Sequence, residues 1–264
     1  MNLDDLKVEN IKELTPDKAD LLYRSMHAML APEEDRAFRL ENWPTELWLL
    51  KEQQPFAKIP MERFIELLEQ KGEKAAHTWL MDRREMLGLA TGKRYFIRLN
   101  TRSPKDYTKG RPLAPREFAK ALANSSRTFG DMAMLSCEGE PCFLYVFKHD
   151  ERCGQNEWRA FVKGGRMIAL TQYTPGGFSP LTNAFARHAW IAMEELFGRV
   201  HPAFGQQDYV FDGYIHNGRA HFLEVNPYGK SDPCFFLSYE NIEARPGQVA
   251  CQGIRYVEVE GEEL

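Results

Sequence analysis

Residues Tyr209–Gly229 read YVFDGYIHNGRAHFLEVNPYG. Two apolar runs flank His216-Asn217-Gly218, the composition of a β-hairpin turn. Within the runs stand three oxygen-bearing side chains, Asp212, Glu224 and Asn226, among Val210, Phe211, Phe222, Leu223 and Val225. Whether the three cooperate is a question of cross-strand parity. A turn of only Asn217-Gly218 would set Asp212 against Leu223 and send Glu224 to the other face. A three-residue turn, with Gly218 left-handed, opposes Asp212 to Phe222 and brings Glu224 and Asn226 onto the face of Asp212. The two acids would then be diagonal neighbours, roughly 7–8 Å apart at the backbone, a span that a magnesium ion and its oxygen ligands bridge. Hard oxygen donors without histidine suit magnesium carried together with phosphates, and suit zinc poorly. The competing reading is a solvated polar face on an edge hairpin.

Working outward, Trp158–Lys163 and Met167–Tyr173 flank Gly164-Gly165 and predict a second antiparallel hairpin. Tyr95–Leu99 and Cys142–Lys148 read as strands, Pro115–Ala123 and Pro180–Phe197 as helices. Before Gly92 the period is helical: Pro16–Met29 behind the N-cap Thr15, a helix opened by Ile59-Pro60 with Phe64, Ile65, Leu67 and Leu68 on one stripe, and Glu73–Leu87. Trp43, Trp48 and Trp79 read as core. The expected class is therefore α+β, with a helical N-terminal region over residues 1–90 and a mixed region over 91–264.

The 264 residues are 43% hydrophobic and 27% charged, which describes a soluble globular chain and excludes coiled-coil and wholly disordered readings. No run of about 18 apolar residues occurs, so no membrane partner is expected. The opening MNLDDLKVEN lacks a basic start followed by an apolar run, which argues against a secretory signal and predicts a cytoplasmic protein. Five cysteines without a CxxC pair support neither a disulfide framework nor zinc. The net charge is −4, yet Lys93–Lys120 holds nine basic residues against Asp106 and Glu117. That segment is a solvated face or an oligophosphate cradle; an acidic chain with one basic segment suits a small polyanion such as ATP better than a nucleic acid.

Familiar catalytic signatures are absent from the sequence, among them GxGxxG after a strand, HExxH and GxSxG. Gly229-Lys230-Ser231 has the ending of a phosphate-binding P-loop, but Glu224 stands where its first glycine is required. Lys148 and Arg159 each interrupt an apolar strand. A buried cation is costly unless paired, so each lies at an edge or faces a ligand.

Five blocks in order, RLNTRSPKD (98–106), FLYVFK (143–148), EWRAFVKGGRMIALTQ (157–172), YVFDGY (209–214) and FLEVNPYG (222–229), resemble the cell division cycle protein 123 family, a divergent ATP-grasp clade. The resemblance runs from about Ile59 to Tyr239 and implies an ATP-grasp fold, two small α+β lobes around a nucleotide, preceded by the helical region. It implies ATP and Mg2+ as cofactors, with Asp212, Glu224 and Asn226 on the metal. Arg98 falls on a family lysine and would face phosphate, and Lys105 and Asp106 match the SPKD block. Lys148 would lie near the adenine and α-phosphate, and Arg159 near the γ-phosphate, so that Arg159 and Arg98 carry the catalytic charge stabilisation. Three departures stand out: Arg98 for lysine, Glu224 for aspartate, and Tyr173-Thr174 where eukaryotic members carry a basic and an acidic residue. These and the compact length look more like bacterial or viral relatives.

The resemblance implies an enzyme, an ATP-dependent carboxylate–amine ligase working through an acylphosphate, with unidentified carboxylate and amine substrates that include proteins or peptides. The alternative is an ATP-binding assembly factor, as in the translation-initiation-factor assembly relatives. A third reading, RNA binding through Lys93–Lys120, predicts steep salt dependence and no need for magnesium.

Overall fold

The computed structural model describes residues 34–153, 156–173, 182–251 and 255–258. Strands β1 (Ala57–Pro60), β2 (Tyr95–Leu99) and β3 (Phe143–Lys148) form an antiparallel sheet in the order β1-β3-β2. Central strand β3 is buried on both faces, so its side chains divide by period two between two cores. Leu144 and Val146 join Ile59, Ile97 and Leu99 against the helices Glu62–Lys71, Glu73–Arg83, Phe118–Asn124 and Ser126–Glu138. Tyr145 and Phe147 face the other way, into the core of the second lobe.

That lobe is a six-stranded sheet in the order β7-β6-β4-β5-β8-β9, built from β4 (Glu157–Lys163), β5 (Arg166–Gln172), β6 (Tyr209–His216), β7 (Arg219–Pro227), β8 (Gln248–Cys251) and β9 (Arg255–Glu258). All its pairings are antiparallel except β5 with β8. One face packs on the 22-residue helix Asn183–Phe204 through Trp158, Phe211, Phe222 and Val225. The opposite face carries Phe161 and Val210 against Phe236 and Ile242. No helix among the described residues is long and apolar enough to cross a membrane.

Several expectations hold and several need amending. The hairpin around Gly164-Gly165 forms, with both glycines at positive φ. The helix expected to end at Phe197 runs on to Phe204, because Val200 and Phe204 continue its apolar stripe and Gly205 then caps it at φ 74°. The helix Ser126–Glu138 was not expected from the apolar pattern; Ser125 caps it by accepting from the Thr128 N–H. Within the expected helical region, β1 pairs with β3, and the helices 62–83 share a core with β2 and β3. The boundary expected near residue 90 thus falls inside one hydrophobic core. The helix expected over Pro16–Met29, and the start of that expected at Pro180, lie outside the described residues.

Residues 34–51 strap the two lobes together. Leu40 and Leu47 are fully buried, Trp43 packs tilted against Phe222 at 5.6 Å, and Trp48 stacks on Tyr145 at 6.2 Å. Arg36 and Arg39 pair with Glu140 on the first lobe, and Asp35 pairs with Lys230 on the second.

Candidate functional site

The β6–β7 hairpin turns on two residues, not three: Asn217 and Gly218, at φ 50° and 74°, connect the pair His216↔Arg219. Two successive left-handed residues match the right-handed strand twist, which favours the shorter turn. On that register Glu224 would oppose Phe211 and enter the core beneath the long helix. A β-bulge between Asp212 and Gly213 prevents this: Gly213 pairs with Phe222, Leu223 is left over, and Asp212 lies directly across from Glu224. The three oxygen donors do share a face, but through a bulge, and the acids are direct partners instead of the diagonal neighbours expected. The glycine is required here, since a Cβ on Gly213 would meet the His221 carbonyl at 3.0 Å and the Leu196 side chain at 3.0 Å.

The acids face cations from both lobes. Arg159 on β4 donates from Nε and Nη2 to the two oxygens of Asp212, each at 2.8 Å, and both side chains are buried. Asn226 Nδ2 donates to Asp212 at 3.2 Å. Arg98, from β2 of the other lobe, pairs with Glu224 and donates to the Thr101 carbonyl at 2.6 Å. Lys105, on the turn that follows, makes no ion pair among the described residues; its ammonium lies 5.1 Å from the Tyr173 ring, whose face also carries the Arg159 guanidinium at 4.0 Å.

These neighbours set the ionisation. Burial pushes the Asp212 carboxyl above its ordinary range, with the charge of Glu224 adding to the push and Arg159 pulling against it. Burial also opposes the charged form of Glu224, but Arg98 and then Lys105 outweigh it and hold that carboxyl well below its usual value. Burial works against the Lys105 ammonium too, yet Glu224 keeps it protonated. Burial raises the thiols of Cys142, Cys153 and Cys234 to about 12, so none of these is a ready nucleophile.

Arg98, Lys105, Arg159, Tyr173, Glu224 and Asn226 line a cavity of about 800 Å³ together with Arg102, Arg127, Asp131 and Lys230, while the buried Asp212 does not line it. Lys148, expected at the nucleotide, stands elsewhere, as does Asp106 of the SPKD block. Lys148 is exposed, paired in the ladder with Tyr95, with its ammonium 5.4 Å above the Phe56 ring. Asp106 accepts from Ser125 and Ser126 at 2.5 and 2.8 Å, and so ties the basic loop to the start of the helix Ser126–Glu138. Gly229-Lys230-Ser231 reaches the cavity wall, with Lys230 bound to Asp35 at 2.8 Å. Lys51 was missed: it follows the helix Thr45–Leu50, and its Nζ donates to the Leu223 carbonyl at 2.6 Å. A single lysine 172 positions from its partner leaves no pattern in the sequence.

Among the described residues no cluster of three or more His, Cys, Asp or Glu is placed to hold a metal. The set here is two acids and an amide, which suits a hard cation that brings phosphate oxygens and water to complete its shell. Asp212, Glu224 and Asn226 are the residues that could hold such an ion, beside the guanidinium groups of Arg98 and Arg159.

Residues 144–263 match the family model D123. Among solved structures, Cdc123 from Schizosaccharomyces pombe aligns at a TM-score of 0.64 and 20% identity, over 81% of this chain and 94% of that one. A C-terminally truncated form of the same protein gives 0.65 at 20% identity, over 82% and 93%. A RimK domain ATP-grasp protein from Sphaerobacter thermophilus DSM 20745 aligns more loosely, at 0.36 and 13% identity, over 76% and 58%. No curated protein matches.

Proposed function

We propose that this chain, matched to D123 over residues 144–263 and Cdc123-like in its α+β ATP-grasp fold, holds Mg-ATP between its lobes and uses it as a carboxylate–amine ligase. One observation carries the reading: Asp212, Glu224 and Asn226 share one face, Asp212 is held by Arg159 and Asn226, and Glu224 and Asn226 line one cavity with Arg98, Lys105 and Arg159 from both lobes. Magnesium would neutralise the phosphate oxygens as charge develops on them. Arg98 and Arg159 supply planar donor forks for the γ-phosphoryl group, and Lys105 supplies a point charge. A carboxylate oxygen attacks the γ-phosphorus and ADP leaves; an amine then attacks the acyl carbon and phosphate leaves. Catalysis is positioning and electrostatics, with no protein nucleophile.

The extent of the cavity favours a ligase. Its wall also includes Arg102, Arg127 and Lys230, basic groups that suit a carboxylate substrate beside the nucleotide. The likeness to Cdc123 equally fits an assembly factor that binds ATP to support a protein interaction. The two separate by positional isotope exchange with β,γ-bridge-labelled ATP and a panel of free and peptide carboxylates. Scrambling that depends on a carboxylate supports the ligase. Tight Mg-ATP binding without scrambling or ADP release across the panel favours assembly.

A further inference from the structure

The two acids meet only because one residue, Leu223, is left out of the β6–β7 ladder. An extra residue of this kind has no ladder partner to hold it, and a slip by one position restores regular pairing. The Leu223 carbonyl is instead held from outside the hairpin by Lys51 Nζ at 2.6 Å. Lys51 lies over the Phe147 ring at 5.2 Å, with no carboxylate within ion-pair distance among the described residues. Burial, followed by the charge of Arg98, brings its ammonium down to about 8. Half-buried, without an ion pair and with its Nζ on the one unpaired residue of the ladder, Lys51 directs its charge at the backbone of the bulge.

Resting on the Mg-nucleotide reading above, we propose that Lys51 is the positioning residue that keys the β6–β7 register. By clamping the bulged Leu223 carbonyl it keeps Glu224 opposite Asp212 and out of the core beneath the long helix. Lys51 touches neither acid within hydrogen-bond distance; it acts through the backbone one peptide before Glu224. It also lies outside the 144–263 segment, so the metal face of that segment depends on the preceding strap.

The test is the full-length Lys51→Met variant, with two readouts. Cross-strand proton contacts between the backbones of residues 212 and 224 report the register by NMR, without nucleotide. Calorimetry with ATP reports binding with and without magnesium. The proposal expects the 212–224 contacts to be lost and magnesium-dependent affinity to fall at least tenfold. Lys51→Arg, which keeps a donor, is expected to restore both. Intact contacts in Lys51→Met overturn the proposal, even if binding weakens, because the ammonium then acts only through its charge. Should Lys51→Met fail to fold, Lys51→Arg decides: wild-type register supports the clamp and a shifted one contradicts it. Failure of the wild type to bind ATP would sink the nucleotide reading, while the register readout would still judge Lys51.

Discussion

Two groups of ion pairs flank the β6–β7 hairpin, and they differ in water. Toward the cavity, Arg159–Asp212 and Arg98–Glu224 have side-chain exposures of 4% and 2%, and of 7% and 18%. Toward the edge, Glu52 accepts from Tyr214 and from the His221 ring and pairs with Arg152, and Arg152 also pairs with Asp150; exposures there reach 43% at Glu52 and 40% at Arg152. The edge group joins Glu52, just past the strap, and the β3–β4 connection at Asp150 and Arg152 to the sheet at modest cost, because Glu52 and Arg152 are exposed and water screens their charges. Each buried pair takes two charges out of water, and apolar residues of the same volume would fill the space at least as well. What distinguishes the buried pairs is that both acids stand on the face proposed above for magnesium, each beside a cation proposed for phosphate.

If that contrast is real, mutations on its two sides must differ. The largest effect is expected for Asp212→Ala, which leaves Arg159 buried and uncompensated. Its stability should fall by about 3–5 kcal/mol in urea denaturation, and magnesium-dependent nucleotide binding should vanish. Glu224→Gln should weaken that binding at least tenfold and add a pH signature. The Glu224 carboxyl is held below its ordinary 4.5, so its ionised form contributes stability above that value and loses it as pH falls through the lower folded value. The stability gap between wild type and Glu224→Gln should therefore stay constant from pH 7 to about 4.5 and shrink below, in urea melts at a series of pH values. Lys105→Met sharpens the comparison, since this cation makes no direct ion pair but supports the charge of Glu224: ATP affinity should drop about tenfold, as for a lost charge-assisted contact, with a fall in melting temperature much smaller than that of Asp212→Ala. The smallest effect is expected at the edge, where Glu52→Gln should cost about 1 kcal/mol or less and leave ATP affinity unchanged. Weakened binding in that variant would erase the distinction between the two groups.

Legibility in the sequence followed the range of the interaction. The β4–β5 and β6–β7 hairpins were readable because turn composition and apolar alternation lie within a few residues of each other. The shared face of Asp212, Glu224 and Asn226 was reached through a turn of the wrong length. Two errors cancelled: the turn is one residue shorter, and the bulge at Leu223 adds one back. A bulge clamped by a lysine 172 positions away has no local signal except Gly213, whose meaning depends on what packs against it. Strand β1 was hidden because Ala57–Pro60 is four residues long and ends in the proline taken to open a helix. The pairing of Arg98 with Glu224 joins two lobes across 126 positions, and only the folded chain reveals that the residue expected at phosphate and the one expected at the metal are neighbours.

The central claim is that this face binds a nucleotide through magnesium. Calorimetric titration of ATP into the full-length protein, with and without magnesium and beside Asp212→Ala, tests it most directly. The account predicts binding that requires magnesium and is lost in the variant; wild-type protein that takes up no ATP under either condition would contradict it.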